Sequence, residues 1–330
     1  MFASTGMVFQ PVVRSAGSFQ EAVSAEQVQQ MCARALGPGT RVLSAVELDG
    51  GTTSTFRVTV ASADRPVILR VAPCPARQAR SERELMRREF AALPWLSRIS
   101  PMMPRVLAVD WSHEVIGRDF MLQSLLDGVP ARDRLREYPR SVWSEFFRQL
   151  GEITRELHGV HGPHFGPVGG PAYVTWGQTV IALLEDLIAD LDGVGLDVSD
   201  LHRAVGAAVA ERDVLDDITE PRLLSGGLWT GNIMLGAAPV PAITGVLGLD
   251  RVVWGDPAAD RPIHLARRSE ERQAFWEGYG ALDRSPAAAW RSRIYEVWHL
   301  GAIRLERHRL GDAAGVRDTY VAAAALGDLA

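Results

Sequence analysis

Apolar residues at Val28, Met31, Cys32 and Leu36 recur at helical spacing, with Ser24 placed to cap the segment and Gly37 to stop it. This predicts a helix over 24–37. The first 20 residues carry no such period and read as a loose extension. After Gly37 the pattern shortens to that of strands: Val42–Leu48 and Thr55–Val60 flank the turn-rich DGGTTS, and VILRVA (67–72) reads as a further buried strand. Helical spacing returns over 81–97, where Leu85, Glu89, Leu93 and Leu96 form one stripe with an acid among the leucines. Val106–Asp110 and Phe120–Leu125 read as two more short strands, and LDGVP closes the strand-rich part.

From about residue 141 the chain becomes helical, in SVWSEFFRQLGEITRELHGVH, TVIALLEDLIADLDGV and LHRAVGAAVAERDVL. One β interruption breaks it, LLSGGLWTGNIML (223–235) followed by AITGVLGLDRVVWGD (242–256). A β-rich first third followed by a helical remainder predicts an α+β chain with a small β-rich N-lobe and a larger helical C-lobe. The boundaries that follow are an extension over 1–23, an N-lobe over 24–125 and a C-lobe over 126–330.

Composition narrows the partners. Of 330 residues, 47% are hydrophobic and 23% charged, which excludes a disordered chain. The net charge of −5, with arginines and acids interspersed, gives no basic patch for nucleic acid or an anionic membrane. All 35 basic residues are arginine, so no lysine is available for Schiff-base or phosphate chemistry. Cys32 and Cys74 are too few for a disulfide framework and have no CxxC spacing. No apolar run is long enough to span a membrane, and no signal-peptide pattern opens the chain. These features together predict a cytoplasmic location.

The order of elements and the two segments LLSGGLWTGNIML and ITGVLGLDRVVWGDPAAD resemble the aminoglycoside phosphotransferase and choline kinase-like family, which shares the protein kinase fold. The likeness runs from about residue 24 to the C-terminus. It implies a Gly-rich turn at Gly50 and Gly51, a β-strand cation at Arg70 paired with the helical acid Glu89, and a catalytic loop ending at Asn232. Gly50, Gly51, Arg70, Glu89 and Asn232 would then be the vestige of a nucleotide site.

The departures from the family pattern carry more weight than the matches. The catalytic Asp position holds Gly227, the His two residues earlier is Ser225, the metal-binding Asp is Gly248, and the strand Lys is Arg70. Arg70 keeps its charge. Gly227 removes the general base, a group typically worth about 10²- to 10⁴-fold, and Gly248 removes a carboxylate that magnesium would need. The resemblance therefore implies weak or absent binding of ATP and magnesium, with no cofactor expected.

Other residues offer substitutes. Asp250, two positions past Gly248, would share its face on a strand about 6.6 Å further along, and His264 is the nearest imidazole in sequence; these two are the candidate catalytic groups. Trp229, beside the old reaction centre, is a candidate ligand contact. Asp256 and Asp260 in GDPAAD read as turn and capping residues. His158, His161 and His164 in LHGVHGPH read as a helix-end His and two loop His, because Gly159, Gly162 and Pro163 prevent a shared face.

Three functions are weighed: a pseudokinase using its interlobe cleft or surface to bind a small molecule, peptide or protein; an enzyme of specialised metabolism doing non-phosphoryl chemistry in the old cleft; and a residual phosphotransferase acting on a hydroxylated, aminoglycoside-like substrate.

Overall fold

A computed structural model describes residues 6–14, 19–48, 51–260, 268–281 and 283–327. The chain divides into two compact units, one formed by Met1–Gln78 with Met103–Asp127, the other by Ala79–Met102 with Gly128–Ala330.

The first unit is a six-stranded sheet with one helix. Strands β1 (Val8–Gln10), β2 (Val42–Leu48), β3 (Ser54–Val60), β4 (Val67–Val71), β5 (Val106–Asp110) and β6 (Phe120–Ser124) are arranged β1-β2-β3-β4-β6-β5. β1 runs parallel to β2, and all other pairings are antiparallel. Helix α1 (Ala25–Leu36) begins at Ser24, whose hydroxyl accepts from the Gln27 N–H while the Gln27 side chain returns to the Ser24 N–H, a full capping box. Its buried face, Val28, Met31 and Cys32, packs with Phe56, Val58, Leu69, Phe120 and Leu122. Burial pushes the Cys32 thiol up to about 12, which makes it a packing residue rather than a nucleophile.

The extension is more ordered than its sequence suggests. Val8–Gln10 pairs with Ser44–Val46, and the buried Glu47 carboxylate accepts from the Val12 N–H at 2.9 Å and forms an ion pair with Arg14. The signal lies in long-range pairing, which no local period reports.

In the second unit, the segment read as one helix over 81–97 is a shorter helix, α2 (Leu85–Ala92), followed by 3₁₀ turns over Leu93–Met102. Pro94 and Pro101 lack the N–H that an α-helix would need there. The unit continues with strand β7 (Val129–Pro130), α3 (Ala131–Arg134), α4 (Trp143–His158), β8 (Gly166–Pro167), α5 (Trp176–Asp192), α6 (Ser199–Ala210) and α7 (Arg212–Asp216). Strands β9 (Arg222–Leu224), β10 (Ile233–Leu235), β11 (Ile243–Val246) and β12 (Val253–Gly255) form the expected β interruption, and α8 (Ser269–Tyr279), α9 (Pro286–Arg309) and α10 (Ala313–Ala325) complete it. The strands make two small sheets, β11-β10-β7 and β8-β12-β9.

Trp176, Leu184, Leu187 and Leu191 of α5 pack with Leu201 and Ala204 of α6 and with Ile294 and Tyr295 of α9. Gly278 lets α8 approach α4 closely, since a β-carbon there would stand 3.0 Å from the Arg148 carbonyl carbon. No described helix is long and apolar enough to cross a membrane.

Candidate functional site

The loop joining β9 to β10 carries Ser225, Gly227, Trp229 and Asn232, and the loop joining β11 to β12 carries Gly248, Asp250 and Arg251. Both belong to the second unit. Their conformations follow from one buried carboxylate. Asp260 accepts from the Ser225 N–H at 2.7 Å, the Ser225 hydroxyl at 2.9 Å, the Gly226 N–H at 3.0 Å and His158 Nε2 at 3.0 Å. Burial would raise its pKa, but these donors outweigh burial and hold it below the usual carboxylate range. Asp260 is thus an ionised anchor for the loop, a stronger role than a cap.

His158 also departs from the expected helix-end reading. Its ring is buried, donating through Nε2 to Asp260, while Nδ1 lies 2.8 Å from the Tyr279 hydroxyl. In the neutral ring Nδ1 accepts that hydroxyl proton. Burial followed by the neighbouring acids raises the Tyr279 pKa, so the phenol stays protonated. His161 and His164 stay apart from this network: the first approaches Glu220 at 4.0 Å and the second lies 2.9 Å from the Phe165 carbonyl. Asp256 does act as a cap, accepting from the Ala258 N–H, and its second oxygen takes the Tyr295 hydroxyl at 2.8 Å and Arg291 Nε at 3.2 Å.

The two loops meet backbone to backbone. A β-carbon on Gly227 would stand 2.6 Å from the Gly248 carbonyl oxygen, and one on Gly226 would stand 2.6 Å from the Arg251 carbonyl carbon. Gly248 has φ +64°, and a β-carbon there would stand 2.7 Å from the amide carbon of Asn232. Asn232 stitches the loops together: Nδ2 donates to the Gly227 carbonyl at 2.8 Å, its own carbonyl accepts from the Leu247 N–H at 2.8 Å, and its N–H donates to the Trp229 carbonyl at 2.8 Å.

A second tie holds the Gly248 loop. Glu82, buried ahead of α2, pairs with Arg251 Nη2 at 2.5 Å and with Arg309 of α9. Burial would raise the Glu82 pKa, and the two arginines outweigh it and hold the carboxyl below its usual range. The turn that presents Glu82 is itself tied to α5, because Asp190 accepts from the Arg80 N–H at 2.6 Å, the Ser81 N–H at 2.9 Å and the Ser81 hydroxyl at 2.7 Å.

The residues singled out in the sequence are distributed as follows. Ser225, Gly227, Trp229, Asn232, Gly248 and Asp250 come together in the paired loops. Asp250 is half-buried in a turn rather than on a strand, because β11 ends at Val246, and it acts electrostatically on Arg251. Trp229 is 40% exposed, its indole lying on Gly231. Arg70 sits on β4 between Thr55 and Met121 of the neighbouring strands, and Gly51 is exposed at φ +79°; both belong to the first unit. Glu89 is buried on α2 in the second unit. Gly50 and His264 lie outside the described residues.

The donor set falls short of what magnesium takes. Gly248 brings no carboxylate, and Asn232, whose Nδ2 donates to Gly227, could offer only its neutral Oδ1. Among the described residues no group of three or more His, Cys, Asp or Glu could hold a metal ion. Asp260, His158 and Glu82 were not identified as site-forming from sequence, since their partners lie 34 to 227 residues away.

Comparison with known proteins defines the class. Residues 44–293 match the model of the phosphotransferase enzyme family, and the chain belongs to that family. Solved structures of similar fold include the aminoglycoside phosphotransferase APH(4)-Ia, with 16% identity over 92% of this chain and 99% of that one at a TM-score of 0.64. A thermostable mutant of the same enzyme in a ternary complex with AMP-PNP and hygromycin B aligns at 18% identity over 91% and 97% of the two chains, TM-score 0.63. An APH(2'') phosphotransferase in complex with GDP and kanamycin aligns at 17% identity over 91% and 97%, TM-score 0.61. At these identities the likeness establishes the protein kinase-like α+β fold. A search of curated protein sequences finds no match.

Proposed function

We propose that this chain keeps the phosphotransferase fold without ATP-dependent phosphoryl transfer, and works by binding a small molecule, peptide or protein partner. The observation that carries this reading is the backbone contact of Gly227 with Gly248, which puts a carbonyl oxygen where a catalytic carboxylate would have to start. Phosphoryl transfer depends on positioned charge more than on covalent chemistry. Without a carboxylate at 227 or 248, neither the acceptor hydroxyl nor a magnesium ion has its usual partner. Gly51, Arg70, Glu89 and Asn232 then persist as parts of the fold, and neither ATP nor another cofactor is required. Trp229, half-exposed on an anchored loop, supports a ligand contact at the old reaction centre. The net charge of −5 favours partners other than nucleic acid or membrane, and the composition favours the cytoplasm.

Non-phosphoryl catalysis is less well supported. The buried carboxylate beside the loop, Asp260, already accepts four hydrogen bonds, which leaves it unsuited to moving protons.

The test is thermal unfolding of the purified protein with ATP, with and without magnesium, together with ADP release in the presence of kanamycin or hygromycin B. No magnesium-dependent shift and no ADP release are expected. A shift of several degrees with Mg-ATP that disappears without magnesium, or ADP release dependent on the aminoglycoside, would restore a phosphotransferase.

A further inference from the structure

The extension ahead of α1 does more than add a short strand. Its anchor is Glu47 on β2, whose buried carboxylate accepts, among the described residues, only from the extension: from the Val12 N–H at 2.9 Å and from Arg14 through Nη1 at 2.9 Å and through Nη2. Glu47 stands across the ladder from Phe56 of β3, and Phe56 stacks on Phe9 of β1 with ring centroids 6.2 Å apart. The extension thus grips two cross-strand neighbours on the packed face of the sheet. Arg14 has a second partner. Its Nη2 also donates to Gln20 Oε1 at 2.9 Å, and Gln20 Nε2 donates to the Gly51 carbonyl at 2.7 Å and the Thr53 carbonyl at 3.2 Å. A guanidinium can only donate and a carbonyl can only accept, so the Gln20 carboxamide has one orientation that satisfies all of them. The backbone on either side of Gln20 is held separately: the Phe19 carbonyl accepts from Arg77 Nη1 at 3.3 Å, and the Glu21 carboxylate lies 3.4 Å from Arg118 and 3.6 Å from Arg77.

We propose that the extension is a strap that couples the docking of β1 on β2 to the order of the Gly-rich turn, through the side-chain relay Glu47–Arg14–Gln20. While β1 is docked, the buried carboxylate clamps Arg14, Arg14 orients the Gln20 carboxamide, and Gln20 braces the Gly51–Thr53 arm of the turn. When β1 leaves, Arg14 leaves with it, and the carboxamide loses the bond that aims it at the two carbonyls. The arm is built to respond, because Gly51 sits at φ +79°, in a region that glycine enters and leaves at little cost. Docked is the resting state, since a buried carboxylate stripped of its donors is strongly unfavourable. The relay lies wholly within the first unit and uses neither Gly227 nor Gly248, so it stands whether or not phosphoryl transfer has been lost.

The test is backbone nitrogen relaxation by NMR on the full chain, read as order parameters at Gly51–Thr53 and at Val8–Gln10. The wild-type protein should be rigid at both, at about 0.85. Gln20→Ala, which breaks only the brace, should bring Gly51–Thr53 below about 0.6 and leave Val8–Gln10 rigid. Glu47→Leu keeps an apolar side chain on the packed face while removing the anchor, and should loosen both places. The two changes combined should loosen the turn no further than Gln20→Ala alone, because they act along one relay. Arg14→Met should behave as Glu47→Leu does, and takes its place if that variant does not fold. A turn that stays rigid in Gln20→Ala or in Glu47→Leu, a β1 that stays rigid when Glu47 is replaced, or further loosening of the turn in the combined variant would overturn the relay.

Discussion

His158 and Asp260, 102 residues apart in the chain, share a buried hydrogen bond of 3.0 Å whose far side grips the loop at Ser225 and Gly226. The carboxylate thereby sets the conformation of the segment that in kinase-like enzymes carries the chemistry.

Replacing Asp260 with Ala strands at least four donors, three of them buried, and we expect a loss of about 3–5 kcal/mol in urea unfolding. Ser225→Ala removes one donor and should cost about 1 kcal/mol. Tyr279→Phe, which deletes the partner of His158 Nδ1, should cost a similar amount.

The same carboxylate predicts a pH dependence. Its pKa is lower in the folded chain than unfolded, so as pH falls the unfolded chain takes up this proton first. The contribution of Asp260 is complete above the unfolded carboxylate value of about 3.9 and is lost as pH drops through the lower folded value. Comparing wild type with Asp260→Asn, the stability gap should be constant from pH 5 to pH 7 and should shrink below about pH 4. A gap that widened on acidification would contradict the assignment.

Restoring an aspartate at 227 forces a side chain against the Gly248 carbonyl. Gly227→Asp should destabilise the protein by about 1–3 kcal/mol, in the range of overpacked sites. It should confer no ATP turnover, alone or combined with Gly248→Asp, as read by coupled ADP release.

Glu82 links Arg251 to Arg309, and the cost of removing it is moderated because Arg251 remains about a third exposed. Glu82→Ala should cost about 2–3 kcal/mol, below the figure for a fully buried pair. Faster hydrogen exchange should appear in the loop around Gly248.

The two thiols should differ sharply. Cys32 is fully buried and hard to ionise, whereas Cys74 is partly exposed. A native thiol titration should give one fast-reacting equivalent, and the second should appear only on unfolding.

Much of this was legible in the sequence because it depends on local pattern. The α1 helix with its Ser24 cap, the strands around the Gly-rich turn, and the paired segments at 223–235 and 242–256 all announce themselves through period, turn chemistry and spacing. What remained hidden depends on contacts between distant residues. His158 looked like a helix-end residue because nothing near it in sequence mentions Tyr279 or Asp260. The β1 pairing was missed for the same reason, and the helix over 81–97 was overextended where apolar spacing outvoted Pro94. Gly227 and Gly248 were visible as departures from a family pattern, but their mutual contact was not.

That contact bears on how such a chain can evolve. Glycine and aspartate codons differ by a single base, so either change at 227 or 248 is among the easiest to make and, on paper, to undo. With the Gly248 carbonyl against Gly227, an aspartate introduced at 227 alone meets backbone instead of open space. Carboxylates at both positions would therefore need a rearrangement of the two loops along with the two substitutions.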